Sequence, residues 1–234
     1  MIYEVEFKIG SPVVTNTEIH FDGIMCAVSP ASHNKHMQVN RFTKAEDIIT
    51  LPIPVDCIKI GKSYIYCCSS ADYVNGTPIV DKSVKRKGGL DFLYYNQRQY
   101  INSTINKNCM LTLYCIACES IKFLVSSSNF KELDRYCRRV HNIGGMRKQG
   151  YGEVLGYNIS EMPELNWQDC IITPVNIAIR NIPQEFCENT CNSELRCKPP
   201  YWLLDGKQQC SAVGEQAMLK DDIFLNEFKR GNKE

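Results

Sequence analysis

An amphipathic helix that runs directly into a glycine-rich turn is the sequence feature that most restricts how this chain can fold. Apolar residues recur there at spacings of three and four, at Phe130, Leu133, Cys137, Val140 and Ile143. This single apolar face predicts a helix over residues 129–142. Gly144 and Gly145 suit its end, where a left-handed residue is favoured. Because residues 154–159 return as a strand, the segment predicts a helix, a short loop and a strand in succession.

The residues before this helix predict further strands and a second helix. Residues 2–9 alternate between polar and apolar side chains as a half-buried strand does, and residues 20–28 predict a short helix. Runs of alternating residues also predict two hairpins, one over 55–60 with 64–69 and one over 110–117 with 121–125. The residues between the two hairpins predict a long loop.

The order of these elements favours one fold class. Strand, helix, paired strands, helix and strand predict an α+β fold, a ferredoxin-like (RRM-like) βαββαβ domain with long loop insertions over residues 1–160. The composition changes after Pro163, so residues 161–234 are predicted to form a separate C-terminal element.

Charge and cysteine content restrict the partners and the compartment. The 27 basic and 26 acidic residues nearly cancel, so any affinity for nucleic acid must come from local clusters. The first residues, MIYEVEFKIG, are unlike a secretory signal, and no apolar run reaches the roughly 18 residues that a spanning helix needs. We therefore expect a cytoplasmic protein without a membrane partner. Its 13 cysteines are then free thiols or metal ligands, since disulfides do not persist in a reducing compartment.

The turn after the long helix has the composition of a phosphate-binding loop. It reads IGGMRKQGYGEV from Ile143, and glycine lets a phosphate approach main-chain amides closely while arginine and lysine supply the opposing charge. The stretch 135–152 contains cations and no carboxylate. The residues predicted to bind RNA are Gly144, Gly145, Arg147, Lys148, Gly150, Tyr151 and Gly152, with Arg138 and Arg139 at the end of the helix. The alternative is a solvated helix face followed by an ordinary glycine turn.

A second basic run lies in the predicted long loop. Lys85, Arg86 and Lys87 are followed by Phe92, Tyr94, Tyr95 and Tyr100. Cations beside aromatic rings suit single-stranded RNA, whose bases stack on rings while its phosphates meet lysine and arginine. The alternative is a flexible charged loop before a strand whose aromatic residues face the core.

Two segments carry a resemblance to a known family. The helix followed by IGGMRKQGYGEV resembles the C-terminal glycine-rich loop of the RAMP superfamily of CRISPR-associated RNA-binding proteins. HFDGI, from His20, resembles the H-x-D-G-L start of the first helix in some members. With LPIPV at residues 51–55, the first 160 residues are most similar to the group-five subunit of type IV effector complexes.

The resemblance implies a non-catalytic subunit that grips the 5′ handle of the crRNA at one end of a multi-subunit CRISPR effector complex. Its partners would be the crRNA and the other subunits of that complex. The glycine loop corresponds to the family's own loop, and Lys85, Arg86 and Lys87 correspond by charge and position to its RNA-hooking thumb.

The C-terminal element contains a group of cysteines with the character of a metal site. The four residues are Cys187, Cys191, Cys197 and Cys210, hereafter the four C-terminal cysteines. Four thiolates in a polar stretch suit a tetrahedral structural zinc, although the spacing lacks paired Cys-x-x-Cys motifs. The alternative is a set of unrelated free thiols.

Two other functions remain open from the sequence. A metal-independent endoribonuclease that processes precursor crRNA would need a general base, for which His20, His33, His36 and His141 are candidates by residue type. A cysteine-based interaction or redox module is the other alternative, and stoichiometric zinc would argue against it.

Overall fold

The computed structural model describes residues 1–15, 17–29, 44, 51–61, 63–85, 109–201, 205–220 and 224–226. This part of the chain has an α+β fold with antiparallel sheets and two helices, α1 (Phe21–Val28) and α2 (Phe130–Cys137). Its strands are β1 (Ile2–Ile9), β2 (Val13–Val14), β3 (Cys57–Ile60), β4 (Ser63–Tyr66), β5 (Asp72–Val74), β6 (Thr77–Lys85), β7 (Cys109–Ala117), β8 (Ser120–Ser126), β9 (Val154–Glu161), β10 (Ile182–Pro183), β11 (Ser193–Leu195), β12 (Gln208–Ser211) and β13 (Phe224–Asn226). The predicted α+β class is confirmed.

The main sheet has the strand order β5-β8-β1-β9, and every neighbouring pair is antiparallel. Alternate residues of β1, such as Val5 and Phe7, are fully buried, because successive side chains of a strand point to opposite faces. They share one apolar cluster with Met25 of α1 and Leu133 of α2. Both helices therefore pack on the same apolar cluster as the central strands.

The boundaries of several elements agree with the sequence patterns. Strand β1 covers the predicted residues 2–9, and α1 starts one residue later than predicted. The second helix begins one residue later than predicted, at Phe130, because the Asn129 side chain caps it by accepting a hydrogen bond from the Glu132 amide. It ends at Cys137, however, and the residues up to 142 form a turn and an extended segment instead of helix.

One predicted hairpin is wrong. Strand β7 does not pair with β8, although only two residues separate them; it pairs with β6 along nine positions. Strand β8 instead pairs with β1 and β5, because Ile121, Phe123 and Val125 alternate into the main core. Residues 72–74 and 77–85 are accordingly strands rather than the predicted loop. We call the β6–β7 pair the ribbon.

The C-terminal residues share a core with earlier strands. Phe186 and Ile182 belong to a second apolar cluster with Ile2, Ile58 and Ile65. Strand β13 also pairs with β3, while β10, β12 and β11 form a small sheet of their own. The division of the chain near residue 160 stays a prediction, and side chains from both parts build this cluster.

No helix in the described ranges combines the length and the apolar character that crossing a membrane requires.

Candidate nucleic-acid interface

The glycine loop, residues 143–152, is closed at its base by its own flanks. The Ile143 amide donates to the Gly152 carbonyl at 2.8 Å, and the Val154 amide donates to the His141 carbonyl at 2.9 Å. The side-chain amide of Asn142 also donates to the Tyr151 carbonyl at 3.2 Å. These bonds hold the two ends together, so the loop projects from the end of the sheet as a fixed structure.

Three of the predicted RNA-binding glycines are packed against residues 10–14. The Gly145 amide donates to the Val14 carbonyl at 2.7 Å, and the Gly152 amide donates to the Pro12 carbonyl at 2.9 Å. A Cβ at Gly144 would lie 2.6 Å from the same Val14 carbonyl oxygen. These glycines allow close packing of the chain on itself, and the amides of Gly145 and Gly152 already have acceptors.

The outer part of the loop is open. Residues Arg147–Gln149 form one turn of 3-10 helix, and Gly150 follows with a positive φ of 86° and no neighbouring atom within 4 Å of a Cβ built there. The side chains of Arg147 and Lys148 are exposed. Neither forms an ion pair with any other part of the chain that the structure describes. The structure thus presents two uncompensated cations on a short, well-anchored turn.

The ribbon lies directly against this loop. Met146 and Tyr151 pack on a small apolar cluster formed by Val14, Leu113 and Cys115. The Tyr151 hydroxyl donates a hydrogen bond to the Asp81 carboxylate of β6. This bond raises the pKa of Tyr151 to about 12 and, with the Lys82 amide, lowers the pKa of Asp81. The loop and the ribbon therefore form one continuous surface.

The other residues predicted to bind RNA differ in exposure and in how far their charge is compensated. Arg138 pairs with Asp134 at 2.7 Å and donates to the Tyr157 hydroxyl at 3.2 Å, so part of its charge is already compensated. Arg139 is half-buried. Lys85 is the last described residue of β6, opposite Cys109, whereas Arg86 and Lys87 lie outside the described residues. The structure thus places Arg147 and Lys148 on a loop whose Met146 and Tyr151 pack against the middle of the ribbon.

The HFDG segment, residues 20–23, takes part in a buried ion pair. Asp22 and Arg180 are both fully buried and pair at 3.2 Å, and the Tyr201 hydroxyl donates to Asp22 at 2.8 Å. Arg180 also donates to the carbonyl oxygens of Tyr66 and Cys68. The start of α1 is therefore joined to the C-terminal residues through a buried ion pair.

The histidine candidates for catalysis differ in accessibility. His20 is 2% exposed, with its ring centroid 4.3 Å from that of Tyr201, and neither ring nitrogen has a hydrogen-bond partner within the described structure. Burial, followed by the charge of Arg180, lowers the pKa of His20 well below its usual value. His141 is exposed beside the glycine loop, whereas His33 and His36 lie outside the described residues.

The four C-terminal cysteines are all buried in the second apolar cluster. Their thiols form two contacting pairs, Cys187 with Cys191 and Cys197 with Cys210. Burial raises the pKa of Cys187 to about 12, while the hydrogen bond from Cys197 lowers the pKa of Cys210. As positioned in the described structure, no three or more His, Cys, Asp or Glu side chains form a group that could hold a metal ion. The structure therefore shows two contacting thiol pairs, and Cys210 of the second pair also interacts electrostatically with Cys187 and Cys191 of the first.

Sequence reasoning missed the partners of the loop. Asp81 lies in the segment that the glycine, asparagine and lysine content predicts as a loop, although the alternation in TPIVDKSVK is a signal for the strand that carries it. The contacts of residues 10–14 with the glycines join parts of the chain that are far apart in sequence, and no local pattern predicts them.

Comparisons with known proteins give little further identification. No protein-family model matches the chain, and no curated protein matches it. Among solved structures, it is similar to a chain in a cryo-EM structure of the type III-B Cmr-beta bound to cognate target RNA, with a TM-score of 0.32 and 13% sequence identity. The match covers 68% of this chain and 60% of that chain.

Proposed function

We propose that this chain is a non-catalytic RNA-binding subunit of a CRISPR effector complex and that it binds the 5′ handle of the crRNA. One observation carries the proposal: Arg147 and Lys148 are exposed, without a carboxylate partner in the described structure, on an anchored turn against the ribbon. Cations in such a position suit a phosphate backbone. The family-like loop and HFDG segments of the sequence support the CRISPR assignment, including the group-five and type IV parts of it.

The contact with RNA is proposed to be made by side chains rather than by the glycine amides. Gly145 and Gly152 use their amides within the protein, so the phosphates would meet the guanidinium of Arg147 and the ammonium of Lys148. The exposed Gly150 leaves room beside them for the sugar-phosphate chain. The basic residues Lys85, Arg86 and Lys87 are proposed to contact the same RNA.

The fold proposal is a ferredoxin-like βαββαβ unit formed by β1, α1, β5, β8, α2 and β9. It is supported by the strand order β5-β8-β1-β9 and by the placement of each helix between the corresponding strands in sequence. The ribbon and the residues after β9 would be additions to this unit.

The decisive experiment measures affinity for a labelled crRNA handle as a function of salt concentration. Each phosphate contact to a single strand contributes about 0.7 to the slope of log K against log salt, so Arg147→Ala/Lys148→Ala should lower the slope by about 1.4. Between about 50 and 200 mM salt, the wild type should then lose roughly sevenfold more affinity than the variant.

A matched control removes the same charge elsewhere. Lys8 and Lys131 are exposed on β1 and α2, and Lys8→Ala/Lys131→Ala changes the net charge equally. We expect its slope to equal that of the wild type. Equal slopes for all three proteins would refute the proposed RNA contact.

The absence of catalysis is part of the proposal and has its own test. An endoribonuclease would need a base that reaches the scissile phosphate, and His141 is the exposed histidine beside the loop. Incubation of the protein with precursor crRNA should yield no specific product. Specific cleavage that His141→Ala abolishes would establish the enzyme instead.

We also propose that the four C-terminal cysteines bind a structural zinc ion. All four thiols lie in one buried cluster, and each already contacts another thiol. A tetrahedral zinc would require the two pairs to converge on one point about 2.3 Å from each sulfur. Zinc would bind the four cysteines as thiolates and would thereby stabilise a region that contains little regular secondary structure.

A further inference from the structure

The ribbon has a second face, opposite the one that contacts the glycine loop. Strand pairing places Val80 opposite Tyr114, Pro78 opposite Ile116 and Lys82 opposite Thr112. Because successive residues alternate between faces, these pairs share one face while Ile79, Leu113 and Cys115 lie on the other. Tyr114 is 61% exposed on this second face.

A groove of about 570 Å³ opens beside the part of this face that carries Tyr114 and Ile116. The side chains of Tyr73 from β5 and Tyr114 and Ile116 from β7 line its apolar part. Thr15, Thr17 and Glu18 line the rest. Its volume falls within the range of small-ligand sites, which combine aromatic walls with a few polar groups.

The chemistry of the groove suits one class of occupant, an unpaired nucleobase. An exposed tyrosine ring offers a flat face for stacking, which every base can use. Glu18 is exposed and forms no ion pair within the described residues, so its carboxylate is free to accept a hydrogen bond from an amino group. A carboxylate in this position would repel a phosphate, which indicates that the groove takes the base and not the backbone.

The surroundings of the groove offer the complementary charge for the backbone. Lys82 is exposed two residues beyond Val80 on the same strand face, about 7 Å along β6. The cations of the glycine loop lie beyond the other face of the same ribbon. A strand of RNA that passes around the ribbon would therefore meet the loop cations on one face and Lys82 and the groove on the other.

We propose that this groove binds one unpaired base of the RNA, stacked on Tyr114, and that Glu18 selects a base with an amino group, cytosine over uracil. The proposal rests on the proposed RNA-binding function and adds a base-recognition site to it. Glutamate accepts a hydrogen bond from the cytosine N4 amino group, whereas uracil presents a carbonyl oxygen at that position.

The test measures binding of short labelled single-stranded RNAs by the full chain. Tyr114→Ala should weaken binding roughly 5- to 150-fold without changing the salt slope, because a stacked base carries no phosphate charge. Tyr114→Phe keeps the ring and should bind as the wild type does. Phe130→Ala removes another exposed aromatic ring, on α2, and should have no effect.

Two RNA changes identify the ligand as a base. In the first, one nucleotide at a time is replaced by an abasic one. At one position this replacement should lower the affinity of the wild type as much as Tyr114→Ala does, and it should not lower the affinity of Tyr114→Ala any further. An oligocytidine should bind several-fold more tightly than an oligouridine, and Glu18→Ala should remove this preference.

The outcomes separate this inference from the proposed function. If Tyr114→Ala binds RNA like the wild type while Arg147→Ala/Lys148→Ala does not, the groove is not a base site and the RNA-binding function stands. If Tyr114→Ala impairs assembly with other subunits but leaves RNA affinity unchanged, the groove is a protein-docking surface and the inference is overturned. If the wild type binds no RNA, the proposed function fails, and the inference fails with it.

Discussion

Replacing Asp22 with alanine should destabilise the protein severely. In the wild type, the Asp22 carboxylate pairs with the Arg180 guanidinium at 3.2 Å and accepts a hydrogen bond from the Tyr201 hydroxyl. Both charged side chains are fully buried. Removing one partner leaves a buried charge without compensation, which costs about 3–5 kcal/mol.

The magnitude can be checked by urea unfolding. With an m value of about 3 kcal/mol/M, a loss of this size lowers the midpoint by about 1–1.7 M. Tyr201→Phe removes only the hydroxyl and should cost less, about 1.5–3 kcal/mol for a hydrogen bond to a charged group. Lys122→Ala breaks the surface pair with Glu4, at 2.9 Å, and should change the midpoint far less.

Two results would contradict this reasoning. An Asp22→Ala protein that unfolds within about 1 kcal/mol of the wild type would show that the buried charge is solvated or paired otherwise. Normal stability combined with a loss of RNA affinity would place the HFDG segment in the RNA site. We expect neither, because Arg180 reaches no other carboxylate within the described residues.

Three further predictions concern stability. Gly152→Ala should lower the free energy of unfolding by about 3 kcal/mol or more, because its Cβ would lie 1.8 Å from the Ile143 carbonyl oxygen. Gly150→Ala, where the Cβ meets no neighbour, should lower it by only about 1–2 kcal/mol. Equal urea midpoints for the two variants would contradict the packing argument. His20 is buried with a lowered pKa, so below about pH 6.5 the unfolded state takes up a proton on this residue and the folded state does not. The free energy of unfolding should therefore fall by at most about 1.4 kcal/mol for each pH unit below about 6.5. His20→Phe should reduce this pH dependence when unfolding is measured at several pH values. Elemental analysis should find about one zinc per chain, and a chelator should lower the Tm; metal-free protein with an unchanged Tm would show that the four C-terminal cysteines are two thiol pairs.

Elements with a local signal could be predicted from the sequence. Strand β1 alternates between buried and less buried residues from Tyr3 to Ile9, and α2 has an apolar face that includes Leu133 and Cys137. The pairing of strands was not predictable in the same way. A two-residue connection between β7 and β8 is typical of a hairpin, but β8 has the buried apolar residues that the main sheet requires, and β7 has an exposed tyrosine. Which strands pair thus depends on packing between distant segments.

In the candidate site, too, the sequence predicts which residues are present but not which of their main-chain groups are free. The glycine-rich composition predicts main-chain amides that are free to bind a phosphate, with Arg147 and Lys148 beside them. Whether an amide is free depends on what lies next to it, and residues 10–14, more than a hundred positions earlier in the chain, occupy two of these amides. The exposure of Arg147 and Lys148 follows from the same packing, because it holds the base of the loop and leaves its outer turn in solvent.

This arrangement changes the kind of binding that the loop supports. Amides that cradle a phosphate fix its position through several directed hydrogen bonds, whereas two long cationic side chains on a rigid turn attract a backbone without selecting a base. Sequence discrimination would then have to come from elsewhere on the same surface. Tyr151 joins the loop to the ribbon through Asp81, so Tyr114 on the second face of the ribbon is held at a fixed position relative to the cations. A backbone that contacts Arg147 and Lys148 and then passes around the ribbon would therefore reach the groove on its second face at a fixed distance. Removing the Tyr151–Asp81 hydrogen bond by Tyr151→Phe should then reduce base preference more than it reduces overall affinity.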